Sequence, residues 1–178
     1  MSDNLIELVR ERFGDAVIDS HDHAGDATLV VSRTAVLEVM GFLRDDARCR
    51  MEQLIDVTAV DFLGYPVDQR AAALPRFEVV YHLLSLSLRH RLRVKVALDA
   101  DDLTVPSMVP LWQSANWGER EVYDMYGINF DDHPDLRRIL LYPEFEGHPL
   151  RKDYHQRGYQ PRLSMPGLTD YANDPTHR

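Results

Sequence analysis

An α+β fold is what this sequence predicts: a mostly antiparallel sheet of about five strands packed with helices, followed by an extended C-terminal arm. Three observations carry the prediction. Apolar residues recur at helical spacing in two stretches near the start and again after Val105. Between them lie apolar, β-branched runs, one with strict period-two alternation. Beyond Leu141 the chain is rich in Pro, Gly, His and Arg and keeps no sustained period.

Leu5, Ile6, Leu8, Val9 and Phe13 have the spacing of a first helix, which Gly14 stops. Ala16–Ile18 and Ala27–Val31 read as two strands around the polar turn HDHAGD. Thr34 is placed to cap a second helix through Arg44, with Val36, Val39, Met40 and Leu43 on one face. The middle supplies three strands: Leu54 to Leu63, Phe77 to Leu88, and Leu92 to Leu98. In the last, Val94, Val96 and Leu98 face one way and Arg93 and Lys95 the other, so the final two strands make a hairpin with one wetter face. Val105 to Tyr126 returns to helix. Ser107 caps a first piece bearing Met108, Leu111 and Trp112. Asn116 caps a second, with Glu119 as its capping-box partner, and Gly127 ends it in the left-handed manner. The layers divide into a body at residues 1–140 and an irregular arm at 141–178.

The chain has 178 residues, 44% of them hydrophobic and 28% charged, which suits one globular domain with a buried core. No apolar run reaches the length of a membrane span, and the start has no basic, apolar signal pattern. The formal charge is −9, a poor basis for nucleic-acid binding. It is unevenly spread: residues 1–132 carry 13 basic and 23 acidic side chains, whereas 133–163 carry six and four. Cys49 is the single cysteine. The chain therefore forms no internal disulfide and supplies too few thiolates to hold an iron–sulfur cluster alone.

The densest stretch, WGEREVYDMYGINFDDHPDLRRILL, starts at Trp117. On a helix Arg120 and Asp124 share a face and can pair, and Glu121 neighbours Asp124. Spacing leaves two readings of this helix open: a capped, solvated surface, or an anchor surface in which Trp117, Tyr123 and Tyr126 work with arginines. As an acid–base pair the carboxylates are poor, since helix neighbours flanked by arginine stay ionised rather than splitting their pKa values. His21 and His23 lack a third ligand at a recognisable spacing. His133 and His148, each before a proline, suit turn shaping or bonds to backbone carbonyls. No dinucleotide or phosphate-binding glycine motif is present.

Glu119-Arg120-Glu121-Val-Tyr-Asp124-Met-Tyr-Gly127-Ile, then His133-Pro134-Asp135-Leu136-Arg137-Arg138-Ile-Leu, closely resembles the signature of the C-type subunit of NADH-quinone oxidoreductase, the thirty-kilodalton-type subunit of respiratory complex I. FEGHPLRKDY, from Phe145 to Tyr154, looks like a second signature of the same family. The order is kept and the likeness covers nearly the whole chain. One departure is Tyr154-His155-Gln156, where relatives carry a Phe-Pro step after the Lys-Asp pair.

The resemblance implies a structural, non-redox subunit of the peripheral arm of a proton-translocating oxidoreductase, without a catalytic centre of its own. The complex would pass electrons from NADH through FMN and iron–sulfur clusters to quinone, none of these cofactors being bound by this chain. Its partners would be the quinone-site, D-type subunit and neighbouring iron–sulfur subunits, at the cytoplasmic side of the cell inner membrane. It also implies an interface and scaffold role for Glu119, Arg120, Glu121 and Asp124. His133, Arg137 and Arg138 would fix the following loop, and Arg151, Lys152 and Asp153 would tie the arm to its partner. Rival readings are a homologous subunit of a membrane-bound hydrogenase or other quinone- or ferredoxin-linked dehydrogenase, a stand-alone hydrolase, and a metal-binding module.

Overall fold

The computed structural model describes residues 2–64, 75–158 and 160. Helix α1 spans Ser2–Phe13 and is followed by a single 3₁₀ turn, Gly14–Ala16. Strands β1 (Val17–His23) and β2 (Asp26–Val31) lead to α2 (Val36–Asp45). Then come β3 (Gln53–Asp61), β4 (Phe77–Ser85) and β5 (His90–Leu98), the short β6 (Thr104–Pro106), α3 (Ala115–Tyr126) and the short β7 (Asn129–Asp131).

Five strands form one sheet in the order β1-β2-β5-β4-β3, antiparallel throughout except for the parallel pairing of β2 with β5. The α+β class and the mostly antiparallel sheet are as the sequence predicts. The β1–β2 hairpin extends through the histidines, however. His21, Asp22 and His23 are strand residues paired with Thr28, Ala27 and Asp26, and only Ala24 and Gly25 turn, at φ 58° and 84°. Two consecutive left-handed residues give the loop the twist that a right-handed strand pair requires.

Alternation decides which face is buried. Val94, Val96 and Leu98 of β5, Phe77, Val79, Tyr81 and Leu83 of β4, and Val57 and Ala59 of β3 join α1 and α2 in one core. The opposite face carries a polar row across four strands: Asp56 is paired with His82, His82 with Arg93, and Arg93 with Thr28. Lys95 and Glu78 form an ion pair on this face at 2.8 Å.

Two helix starts differ from expectation. Ala35, not Thr34, occupies the N-cap of α2, and the Thr34 hydroxyl bonds that of Ser32 at 2.7 Å. No helix forms over 107–114. Pro106 precedes the segment and Pro110 lies inside it, a proline disfavours the helical conformation of the residue before it, and the Met108 and Val109 N–H groups are drawn to the Glu119 and Ser107 side chains. Pro106 instead ends β6, which pairs in parallel with β7. Helix α3 has Ser114 at its N-cap, and the Ser114 hydroxyl reaches across to the Leu54 carbonyl at 2.9 Å. Neither Asn116 nor Glu119 builds a capping box.

Candidate interaction site around helix α3

Helix α3 lies close on β3 because residue 118 is glycine: a Cβ there would sit 3.1 Å from Val57 Cβ and 3.4 Å from the Val57 carbonyl oxygen. That approach puts Glu119, on the sheet-facing side, entirely out of solvent. Its carboxylate accepts the Ser107 hydroxyl at 2.7 Å and the Met108 N–H at 2.6 Å, bridging the helix to the end of β6. Burial pushes the Glu119 carboxyl up to about 7, partly offset by those two donors. The expectation that all carboxylates here stay ionised is therefore corrected for Glu119, whose arginine neighbour in sequence points elsewhere.

The surroundings of Glu119 are unusual for their polarity. The Tyr81 hydroxyl is buried and has no hydrogen-bond partner among the described residues. Desolvation, with the Glu119 charge, drives its pKa well upward. The buried His133 ring lies 4.0 Å from Glu119 and bonds the Asn116 carbonyl at 3.2 Å. Its Nδ1 accepts the Asp135 N–H at 3.0 Å, which leaves the proton on Nε2.

Asp124 occupies the other side of α3, away from the sheet, yet it too is fully buried. What covers it is the segment after β7. One carboxylate oxygen accepts Arg138 Nη1 at 2.7 Å, and the other accepts three successive backbone N–H groups, from Ile139, Leu140 and Leu141, at 2.8–3.0 Å. Burial raises the Asp124 pKa, but the Leu141 N–H, the Arg138 guanidinium and the other two amides together outweigh it, and the net direction is down. The sequence-inferred pair Arg120–Asp124 is not made. Arg120 donates to the carbonyls of Arg137 and Arg138, and Arg138 takes the aspartate. Arg138 also reaches the Phe145 and Gly147 carbonyls, so one guanidinium organises the whole turn.

The C-terminal end of α3 leaves four carbonyls without helical partners, and each finds a donor. Gly127 N–H reaches Tyr123 O, His148 Nδ1 reaches Asp124 O, Leu150 N–H reaches Met125 O, and Arg151 Nε reaches Tyr126 O. Gly127 has φ 70°, and a Cβ on it would meet His148 Nε2 at 2.5 Å and Arg151 Nη2 at 2.6 Å. Both the conformation and the crowding demand glycine. Cationic Arg138 and Arg151 also lie where the helix dipole favours positive charge.

A third clamp joins the same segment to β3. Buried Asp61 accepts Arg76 at 3.0 and 3.1 Å, Leu63 N–H at 2.9 Å and Lys152 N–H at 2.8 Å. Arg76 bridges on to Asp153 at 2.8 Å. Of the residues read from the sequence as ties to a partner, Arg151 and Asp153 make side-chain contacts within this chain, whereas Lys152 is held by its backbone N–H and its side chain is exposed. Arg137 pairs with Asp135 at the surface, and Glu121 is exposed with no ion pair among the described residues. Sequence reasoning missed Asp61, Arg76 and Tyr81, which lie far from the signature in sequence, and read Ser107 as a helix cap rather than as a donor to Glu119. Residues 161–178 of the arm fall outside the described residues. No three His, Cys, Asp or Glu side chains converge to hold a metal ion among those described.

Solved structures share this fold. A trypsin-resistant fragment of Nqo5 superimposes with a TM-score of 0.64 at 32% identity, over 76% of this chain and all of the fragment. The archaeal membrane-bound sulfane sulfur reductase superimposes with a TM-score of 0.68 over 86% of this chain, and at 21% identity that likeness is one of fold alone. Residues 29–160 match the family described as respiratory-chain NADH dehydrogenase, 30 Kd subunit. The C-type subunit of NADH-quinone oxidoreductase from Caulobacter vibrioides is 56% identical over 76% of this chain and 64% of its own length. Its counterpart from Citrifermentans bemidjiense is 46% identical over 92% of this chain and 98% of its own. The chain belongs to the family of the 30 kDa, C-type subunit of respiratory-chain NADH dehydrogenase.

Proposed function

We propose that this chain is a structural, non-redox subunit of the peripheral arm of a proton-translocating NADH:quinone oxidoreductase, docking against the quinone-site, D-type subunit and the iron–sulfur subunits beside it. The membership of the family supports the assignment to the complex. The observation that carries the structural role is the internal use of the signature. Glu119 and Asp124 are fully buried acceptors that hold the β6 end, the 138–141 turn and the helix together. Groups so fully engaged position a surface rather than turn over a substrate. The chain would sit at the cytoplasmic side of the cell inner membrane through its partners, since no described helix is long and apolar enough to cross a membrane. FMN, the clusters, NADH and quinone would belong to other subunits; the lone Cys49 agrees, being fully buried with its thiol pushed up to about 11, first by burial.

The related membrane-bound enzymes are a weaker reading, because their likeness here is one of fold at low identity. A free-standing hydrolase finds little support. One of several cavities among the described residues, of about 370 Å³ and lined by Asp26, Ile55, Asp56, His82 and Arg93, shares no residue with the α3 site. Gentle detergent extraction of membranes that carry a tagged copy tests the proposal. The other peripheral-arm polypeptides should co-purify, and membranes lacking the chain should lose NADH:quinone reductase activity until it is supplied again. A chain that purifies alone, or full respiration without it, refutes the assignment.

A further inference from the structure

Only half of α3's outer face is covered. The 138–148 segment lies over the Asp124 end, whereas about two turns earlier Trp117 is 71% exposed. Trp112, just before the helix, is enclosed and bonds the Met51 carbonyl, so the two tryptophans have opposite fates. Trp117 and Glu121 stand one helical turn apart, at the spacing where side chains are neighbours. Leu140, whose N–H is bonded to Asp124, is 59% exposed beside the same helix. A ring, a carboxylate and an aliphatic chain are therefore all presented outward around α3.

The charge around this strip points one way. Arg120 is engaged with backbone carbonyls, Arg137 with Asp135 and Arg138 with Asp124. The exposed carboxylate of Glu121 has no ion pair among the described residues. The arginines of this helix and of the turn after it are answered inside the chain, and the carboxylate of Glu121 is left outward.

We propose that the Trp117–Glu121 turn is the docking point for an arginine-bearing segment of a neighbouring subunit, its guanidinium stacked on the indole and paired with the carboxylate. This deepens the proposed function and rests on it. Tryptophan is the strongest cation–π acceptor, and a planar guanidinium both stacks and forks onto a carboxylate, which an ammonium cannot do. An aliphatic neighbour of that arginine would cover Leu140. Closure over such a centre excludes water and makes it a hot spot.

Indole oxidation, read by mass spectrometry on the full chain alone and in the purified complex, tests the idea, with buried Trp112 as the internal reference. Oxidation at Trp117 should fall about fivefold or more on assembly. Trp117→Ala and Glu121→Gln should each reduce retention in the complex at raised salt about tenfold, the scale of one hot-spot side chain, while Trp117→Phe keeps most of it. The isolated variants should keep the parent's thermal midpoint, because neither side chain is buried. A photo-crosslinker at 117 should attach beside an arginine of the partner. Assembly with Trp117 still freely oxidised, or with Glu121→Gln retained at every salt concentration, overturns this inference alone. An unmodified chain that never co-purifies overturns the docking role and this inference together.

Discussion

Glu119 and Asp124 show how two carboxylates on one short helix reach opposite protonation tendencies. Glu119 has two neutral donors and no paired cation, so desolvation wins. Asp124 has a guanidinium and three amides, so the charged form wins. A carboxyl whose pKa rises on folding, from 4.5 to about 7, contributes stability that is fully present below pH 4.5 and lost as pH climbs to about 7. Glu119→Gln should therefore flatten the difference in urea midpoint between pH 4.5 and pH 8, and gain on the parent at pH 8 by roughly 2–3 kcal/mol. Equal slopes in both proteins would contradict this. His148, lowered chiefly by burial, acts the other way, losing its contribution as pH falls below 6.5. Both proteins share that background, so the difference isolates Glu119. Asp124 is the depressed case, with stability present above 3.8 and lost as pH falls below it. Asp124→Asn leaves Arg138 without its anion and should cost about 3 kcal/mol at neutral pH. A double-mutant cycle with Arg138→Ala should show strong coupling, and additive losses would deny that the pair acts as a unit.

At the scale of elements, α3 is a helix covered on both sides at its C-terminal half. Gly118 sets its distance from β3, and Gly127 opens the space for His148 and Arg151 at its end. Gly127→Ala meets left-handed strain of about 1 kcal/mol in addition to a clash with those two side chains. The amide of Leu150, bonded to the Met125 carbonyl, should then exchange at least tenfold faster. Unchanged exchange would mean that the end of α3 does not hold the segment. Much of this element was legible. The αL glycine, the histidines before prolines that bond backbone carbonyls, and the strand alternation of Val94, Val96 and Leu98 follow from local rules. The capping box was not, because the spacing from Asn116 to Glu119 cannot tell whether the glutamate turns back to its own helix or across to β6.

For the whole molecule, the segment from 138 to 158 is irregular yet fastened at Asp124, at the last carbonyls of α3, and at Asp61. Its contacts are polar and internal, so removing it harms the body directly. Truncation after Pro143 should lower the urea midpoint by the equivalent of about 2–4 kcal/mol, since His148, Leu150, Arg151 and Lys152 each withdraw a donor worth about 1 kcal/mol. A truncated chain as stable as the parent would show that these bonds contribute nothing net. Reversal of Arg137 and Arg138 together mixes two effects. Arg137→Glu touches a surface pair and should be nearly neutral in the isolated chain, whereas Arg138→Glu should behave like loss of Asp124.

Local patterns determined that this protein is α+β and that its strands alternate as they do. They carry such information because side-chain period and turn conformation are properties of a few neighbouring residues. Only the tertiary structure decided that Arg138 rather than Arg120 answers Asp124, that Glu119 loses its water, and that Asp61 receives Lys152. Those outcomes depend on which distant donors the packed sheet brings within hydrogen-bond reach, and on how much solvent the packing excludes, neither of which any short run of sequence contains.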